Sequence, residues 1–355
     1  MQFPRTAHER DHPLRISTIG VDLAKNIFQV HAETADGQVV FNRALRRRQV
    51  LAFFERLEPC LVGLEACATS HYWAREISKH GHEVRLMPPT YVKAYVKRGK
   101  SDAGDAAAIC EAVTRPTMRF VAIKTVEQQA LLSQHRARQL LIAQRTQLAN
   151  MIRSLIGEFG CTIRRGVNHV TCFATEVREG QWRTLPDCAR ATVALLCQQF
   201  LDLQAQIARL DKMIHAASRQ DKRVRLLQTI PGVGPITASA IVATVGEPQR
   251  FKSGRDFAAW IGLTPLNKSS GGKERLGRIT KMGDRYLRRL LVAGMTARIG
   301  HARRQPGCAD PWVIRLLARK PTRLATIAMA NKTARIIWAV LTRQESYQAP
   351  QINAA

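Results

Sequence analysis

Apolar and polar residues alternate from Ile16 to Ala32 around Gly20 and Asp22, a period of two that predicts a strand. Asp36-Gly37 is a hairpin signal, so Val39 to Leu45 is expected to return beside it. An amphipathic helix over Gln49–Leu57 leads to the short apolar run Cys60–Glu65, which reads as a buried strand ending on a carboxylate. A helix over Ser70–His80 and a strand over Glu83–Met87, closed by Pro88-Pro89, complete the pattern. A hairpin followed by alternating helices and strands predicts an α/β domain with a mixed sheet.

From Ser101 the periodicity becomes helical, with Asp102 and Asp105 three positions apart on one face. Val126–Phe159 carries an apolar seam through Leu131, Leu132, Leu140, Leu141, Leu148, Ile152 and Leu155, and Arg190–Arg219 repeats it through Leu195, Leu196, Phe200, Leu203, Ile207, Leu210 and Ile214. Two long helices joined by an irregular segment, 160–187, predict an antiparallel coiled-coil arm, with an ordinary helical bundle as the alternative. A mainly helical region begins near Leu226, and the polar residues after Gln344 are expected to fray. The chain thus divides into 16–122, 123–222 and 223–345, an α/β domain followed by two α regions.

The 355 residues suffice for more than one core, and 45% hydrophobic content excludes a disordered chain. Lys and Arg outnumber Asp and Glu by 55 to 27, giving a net charge of +28. That excess concerns partners rather than fold, and nucleic acid is its commonest partner. No apolar run is seen to approach a membrane span, and Met1–Arg15 lacks a signal-peptide core, so a cytoplasmic, nucleoid-associated protein is expected. The 8 cysteines include no Cys-x-x-Cys pair. They read as reduced thiols, mostly in the core, rather than as zinc ligands.

Against this basic background four acids stand out: Asp22, Glu65, Asp102 and Asp105, each at the start or end of an expected element. Converging carboxylates are what metal-assisted phosphodiester chemistry requires, and Mg²⁺ is the hard cation they suit. The order of elements fits an RNase H-like site. The competing role for Asp102, beside Ser101, is simply to cap its helix. Glu33, Glu76, Glu83 and Glu111 read as solvated surface charges.

Ile230-Pro231-Gly232-Val233-Gly234-Pro235 resembles the turn of a helix-hairpin-helix, in which Gly232 and Gly234 would expose backbone N–H groups to a phosphate. A tight turn between packed helices is the plainer alternative. Residues 268–289 hold eight Lys or Arg against two acids, with Ser269 and Ser270 among them. Residue chemistry alone favours a phosphate-binding loop of Lys268, Lys273, Arg275, Arg278 and Lys281 over a catalytic serine.

IGVDLAKN at 19–26, GLEACATS at 63–70 and KSDAGDAAAI at 100–109 resemble the N-terminal pattern of DEDD insertion-sequence transposases. These are relatives of the Piv DNA invertase, described as bridge-RNA-guided recombinases. LLQTIPGVGPITASAIVATVG at 226–246 and GLTPLNKSSGGKERLGRITKMGD at 262–284 resemble that family's C-terminal domain. The resemblance implies a RuvC-like domain over 16–122, whose acidic tetrad is Asp22, Glu65, Asp102 and Asp105. It implies a C-terminal serine that attacks DNA, matched by Ser270 because glycine follows it, with adjacent Ser269 as the fallback. It further implies DNA, a noncoding guide RNA and self-association into dimers or tetramers. The rival readings are a RuvC-like Mg²⁺-dependent nuclease using water, and a non-enzymatic DNA- or RNA-binding protein.

Overall fold

The computed structural model describes residues 15–96, 99, 101–182, 185–269, 272–273 and 275–349. The chain separates into two compact units at Val126–Glu127.

The first unit is built on a five-stranded sheet. Strands β1 (Thr18–Asp22), β2 (Ile27–Glu33) and β3 (Val39–Arg46) form an antiparallel meander. Helix α1 (Val50–Glu55) precedes β4 (Leu61–Glu65), and α2 (Ser70–Ser78) precedes β5 (Glu83–Met87). Both later strands run parallel to β1, giving the order β3-β2-β1-β4-β5. This mixed sheet is consistent with the expected RNase H-like fold. A short α3 (Pro89–Val92) and the longer α4 (Asp102–Val113) follow.

The run Ile16–Ala32, expected as one strand, is two. Its length is about three times that of a typical strand, and the chain reverses between Asp22 and Ile27 so that Asp22 pairs with Gln29. Alternation survives a reversal, which is why period alone did not reveal it. Ile19 and Val21 face a core completed by Val50 and Phe54 of α1 and by Trp73, Ala74 and Ile77 of α2. The intervening residues of β1 face α4, against which a second core of Met87, Val92, Ile109 and Val113 forms.

The second unit begins with three helices: α5 (Val126–Gly157), α6 (Val167–Arg178) and α7 (Asp187–Ser218). The segment expected to be irregular therefore contains a helix. Val170, Phe173, Ala174 and Val177 of α6 fall on one helical face, packing with Ile152 and Ile156 of α5 and Val193, Cys197 and Phe200 of α7. Helices α5 and α7 run antiparallel: Arg138 pairs with Asp211, and further along Arg145 donates to Gln204 at 3.1 Å.

Beyond them lie α8 (Lys222–Gln228), α9 (Pro235–Val245) and α10 (Gly254–Ile261). A hairpin of β6 (Pro265–Asn267) and β7 (Leu276–Ile279) interrupts the helices before α11 (Arg285–Arg304), α12 (Pro311–Arg319) and α13 (Thr322–Arg343). Helix α13 packs against α8, α10, α11 and α12. It also corrects the membrane expectation: at 22 residues with mean hydropathy 1.2 it is long and apolar enough to span a bilayer. Here Ala325, Met329, Ala330, Ala334, Ile337 and Leu341 turn that apolar face into the unit's core.

His135 of α5 is fully buried where α9 and α11 meet, with Nδ1 3.0 Å from the Tyr286 hydroxyl and Nε2 3.1 Å from Ser239 Oγ. Burial, assisted by the nearby Arg138 cation, drives its pKa down to about 4. The cysteine expectation also needs correcting. Among the described thiols Cys60, Cys110 and Cys197 are buried, whereas Cys67, Cys172 and Cys188 are exposed.

Candidate active site

Asp22 ends β1 and Glu65 ends β4, the neighbouring parallel strand. Each lies two positions beyond a glycine, Gly20 or Gly63, so each shares its glycine's face of the sheet. The two glycines are register partners. Helix α4 crosses this face so closely that a Cβ on Gly20 would stand 2.2 Å from the Ala106 carbonyl oxygen and 2.4 Å from Cys110 N. At Gly63 the nearest atom would be Val113 Cβ, at 2.9 Å. The close crossing sets the first turn of α4 over the end of β1.

That turn carries the two other acids. Ser101 caps the helix, its Oγ accepting from Gly104 N at 3.1 Å. Asp102 is thus spared the capping role and its carboxylate is exposed. Asn42 of β3 fixes the same turn from the side, donating to the Ala103 carbonyl at 3.1 Å. Oxygens of Asp22, Asp102 and Asp105 all lie within 4.8 Å of one another. Glu65 stands outside that tight group but close enough to feel the charges of Asp22 and Asp105.

Crowding of like charge is evident in the proton affinities. Partial burial, then Asp105 and Asp102, raise the Asp22 pKa above its ordinary value, while the Leu23 backbone N–H pulls the other way. Burial, then Asp22 and Asp105, raise Glu65. A divalent cation would relieve both effects, and hard carboxylate oxygens at this spacing suit one. Cys67, two residues after Glu65, has its thiol pKa raised by partial shielding from solvent and by the Glu65 and Asp22 charges, so it borders the site in the protonated form.

Sequence reading named all four acids but missed Gly20 and Gly63. The signal was present: Gly-Val-Asp at 20–22 and Gly-Leu-Glu at 63–65 repeat a glycine two positions before a strand-end acid.

The basic residues lie on and beside the β6–β7 hairpin, which the expectation of a mainly helical region did not include. Lys268, Lys273, Arg275, Arg278 and Lys281 are all exposed. Ser269 Oγ accepts from Arg275 N at 3.0 Å, so this serine helps close the hairpin. Ser270 lies outside the described residues.

The two glycines of the 230–235 turn have different situations. Gly232 (φ 85°) is packed on α11, where a Cβ would meet Met295 Cε at 2.6 Å. A Cβ on Gly294 would in turn stand 2.1 Å from the Gly232 carbonyl oxygen. Gly232 thus permits helix packing, whereas Gly234, before α9, opens onto free space.

Comparison with known proteins agrees with this picture. A family described as "Transposase", of the DEDD type, matches residues 19–160, and the "Transposase IS116/IS110/IS902 family" matches residues 224–308. The chain is 45% identical over 336 residues to a Pseudomonas aeruginosa protein named "Probable family 20 transposase", covering 94% of this chain and 99% of that one. It is 36% identical over 333 residues to the "Transposase for insertion sequence element IS1111A" of Coxiella burnetii, covering 94% and 92%. A more distant relative is the "Pilin gene-inverting protein" of Moraxella bovis, 24% identical over 273 residues, covering 71% and 73%. With acids gathered at the strand ends of a mixed sheet and relatives aligned over nearly their whole length, the chain belongs to the IS110/IS116 family of insertion-sequence DNA transposases.

Proposed function

We propose that the protein excises and inserts its mobile element by DNA strand exchange through a covalent phosphoserine intermediate. The convergence of Asp22, Asp102 and Asp105, with Glu65 beside them, carries this reading. These four residues would hold Mg²⁺, which when bound would stabilise negative charge at the scissile phosphate. Ser270 would lose its hydroxyl proton and bond through Oγ to phosphorus, while the displaced deoxyribose oxygen leaves and takes up a proton. Lys268, Lys273, Arg275, Arg278 and Lys281 would hold the nucleic-acid backbone, and Gly234, with Gly232 shaping its turn, would offer backbone N–H groups to a phosphate.

On this reading 16–122 is the RuvC-like catalytic domain, 123–222 a coiled-coil arm and 223–345 the serine domain. A noncoding guide RNA selects the DNA partners by base pairing. Dimers or tetramers let acids of one subunit act with the serine of another, in the nucleoid.

The test is to trap a covalent protein–DNA adduct and map the attached residue. Attachment at Ser270, lost in Ser270→Ala, is expected. Undiminished cleavage and exchange in Ser270→Ala would instead favour hydrolysis by activated water. Activity that survives both Asp102→Asn and chelation would leave the acids without a catalytic role. Co-purification of a discrete RNA tests the guide.

A further inference from the structure

A cleft lies in the C-terminal unit, between the start of α10, α12 and the middle of α13, with a volume of about 910 Å³. Gly254 permits it: a Cβ there would come within 3.1 Å of the Arg335 backbone, so α10 and α13 meet with no side chain between them. Arg255, Lys332 and Arg335 line the cleft, with Trp312 and Ile336 as its apolar surface. Trp312, Lys332 and Arg335 all follow the matched segment 224–308.

Three observations define what the cleft would take. First, none of its three cations makes an ion pair with a carboxylate among the described residues. Gathering unneutralised charge costs free energy, which an anionic occupant offsets. Second, Lys332 Nζ sits 3.8 Å from the centre of the Trp312 ring. That cation–π contact holds a long, flexible side chain in place, so less entropy is lost when an anion meets it. Third, the cleft is open to solvent and its volume falls within the range of small-ligand sites. Tryptophan and isoleucine beside the cations offer apolar surface to a sugar or base edge, as in grooves that bind single strands.

We infer that this cleft holds a single-stranded stretch of nucleic acid, its phosphates at Arg255, Lys332 and Arg335 and its sugars or bases against Trp312 and Ile336. The inference rests on the reading of the chain as a nucleic-acid-processing enzyme, and it adds a holding site built from residues other than the acids and the serine hairpin.

The full-length protein is titrated against fluorescein-labelled oligothymidylate and oligouridylate, with anisotropy read across a salt series. The double variant Lys332→Gln/Arg335→Gln is expected to bind about tenfold more weakly at low salt. Its log–log salt slope should be shallower by about 1.4, as expected for two lost phosphate contacts on a single strand. Trp312→Leu is expected to weaken binding as well, and the tighter of the two oligonucleotides tells whether DNA or RNA is the occupant. Unchanged affinity and slope in the folded double variant would overturn the inference, as would a wild-type protein that binds neither strand. Should the variant misfold, photocross-linking of 5-iodouracil strands to the wild type decides. Adducts on the peptides carrying Trp312 or Lys332 support the cleft, and adducts only elsewhere overturn it. Asp22→Asn separates the two readings, because it is expected to abolish strand cleavage while leaving this binding intact.

Discussion

Gly20 of β1 and Gly63 of β4 are paired across parallel strands, and α4 crosses both closely, with its backbone against Gly20 and its Val113 and Ile109 side chains against Gly63. Two missing side chains therefore bring the helix that carries Asp102 and Asp105 down onto the strand that ends in Asp22. The acidic group depends on that approach.

Gly20→Ala is expected to be the more damaging substitution, because its Cβ would strike helix backbone, which cannot rotate away. A loss of about 3 kcal/mol is expected, against about 1 kcal/mol for Gly63→Ala, whose nearest neighbour is a valine side chain. Urea denaturation measures both, and the reverse order would show that α4 is not held by this contact.

Charge crowding at the site makes stability depend on metal and pH. Asp22 and Glu65 have pKa values raised in the folded chain, so the folded state takes up protons more readily than the unfolded state. Their contribution is most favourable at acid pH and is lost as pH rises through the elevated values. In chelator, Asp22→Asn is therefore expected to melt higher than wild type at neutral pH. Added Mg²⁺ or Mn²⁺ should raise the wild-type Tm and leave the variant nearly unchanged. Thermal melts with and without metal give the comparison.

His135 has the opposite sign. Its pKa is lowered from 6.5 to about 4, so it contributes stability that is complete above 6.5 and is lost as pH falls toward 4. A shift of that size corresponds to about 3 kcal/mol. His135→Phe should flatten this acid limb while costing stability at neutral pH, since Tyr286 and Ser239 lose their partner. Denaturation midpoints across that pH range reveal it, and an unchanged acid limb would refute the assignment.

Arg138 and Asp211 join α5 to α7 in a partly buried pair. Arg138→Ala strands the carboxylate and is expected to cost about 3 kcal/mol, whereas Arg138→Met with Asp211→Leu should cost clearly less. A double-mutant cycle measures the coupling, and simple additivity would mean that the pair contributes nothing.

The two adjacent serines should separate cleanly. Ser269→Ala removes the acceptor for Arg275 N–H and should loosen the hairpin while still permitting a covalent DNA adduct. Ser270→Ala should abolish the adduct. Mass spectrometry of trapped complexes distinguishes them, and an adduct on Ser269 would reverse the assignment.

Much of this was legible in the chain because the signals are local. The Asp36-Gly37 turn, the apolar run ending on Glu65 and the Pro88-Pro89 stop located β3, β4 and β5 nearly to the residue, and the seams of α5 and α7 fixed two long helices. The misses share a cause: a period shows that one face is apolar without showing where the chain turns back. Alternation ran unbroken through the β1–β2 reversal, and α6 was obscured by the glycines and threonines around it. The hairpin of β6 and β7 is only 3 and 4 residues per strand, too short for any period to register.

By itself the sequence determined the class of elements, the surplus of positive charge and the identity of the four acids, since each follows from residue type and nearest-neighbour spacing. Only the tertiary structure decided that these acids meet. Glu65 reaches Asp22 because β4 inserts beside β1 rather than beside β3, and Asp102 and Asp105 reach them because two glycines remove the side chains that would hold α4 away. It likewise decided that Ser101, not Asp102, caps the helix, and that α13 is a core helix. Those outcomes depend on which surfaces exclude one another in space, and sterics between distant segments leaves no period in the chain.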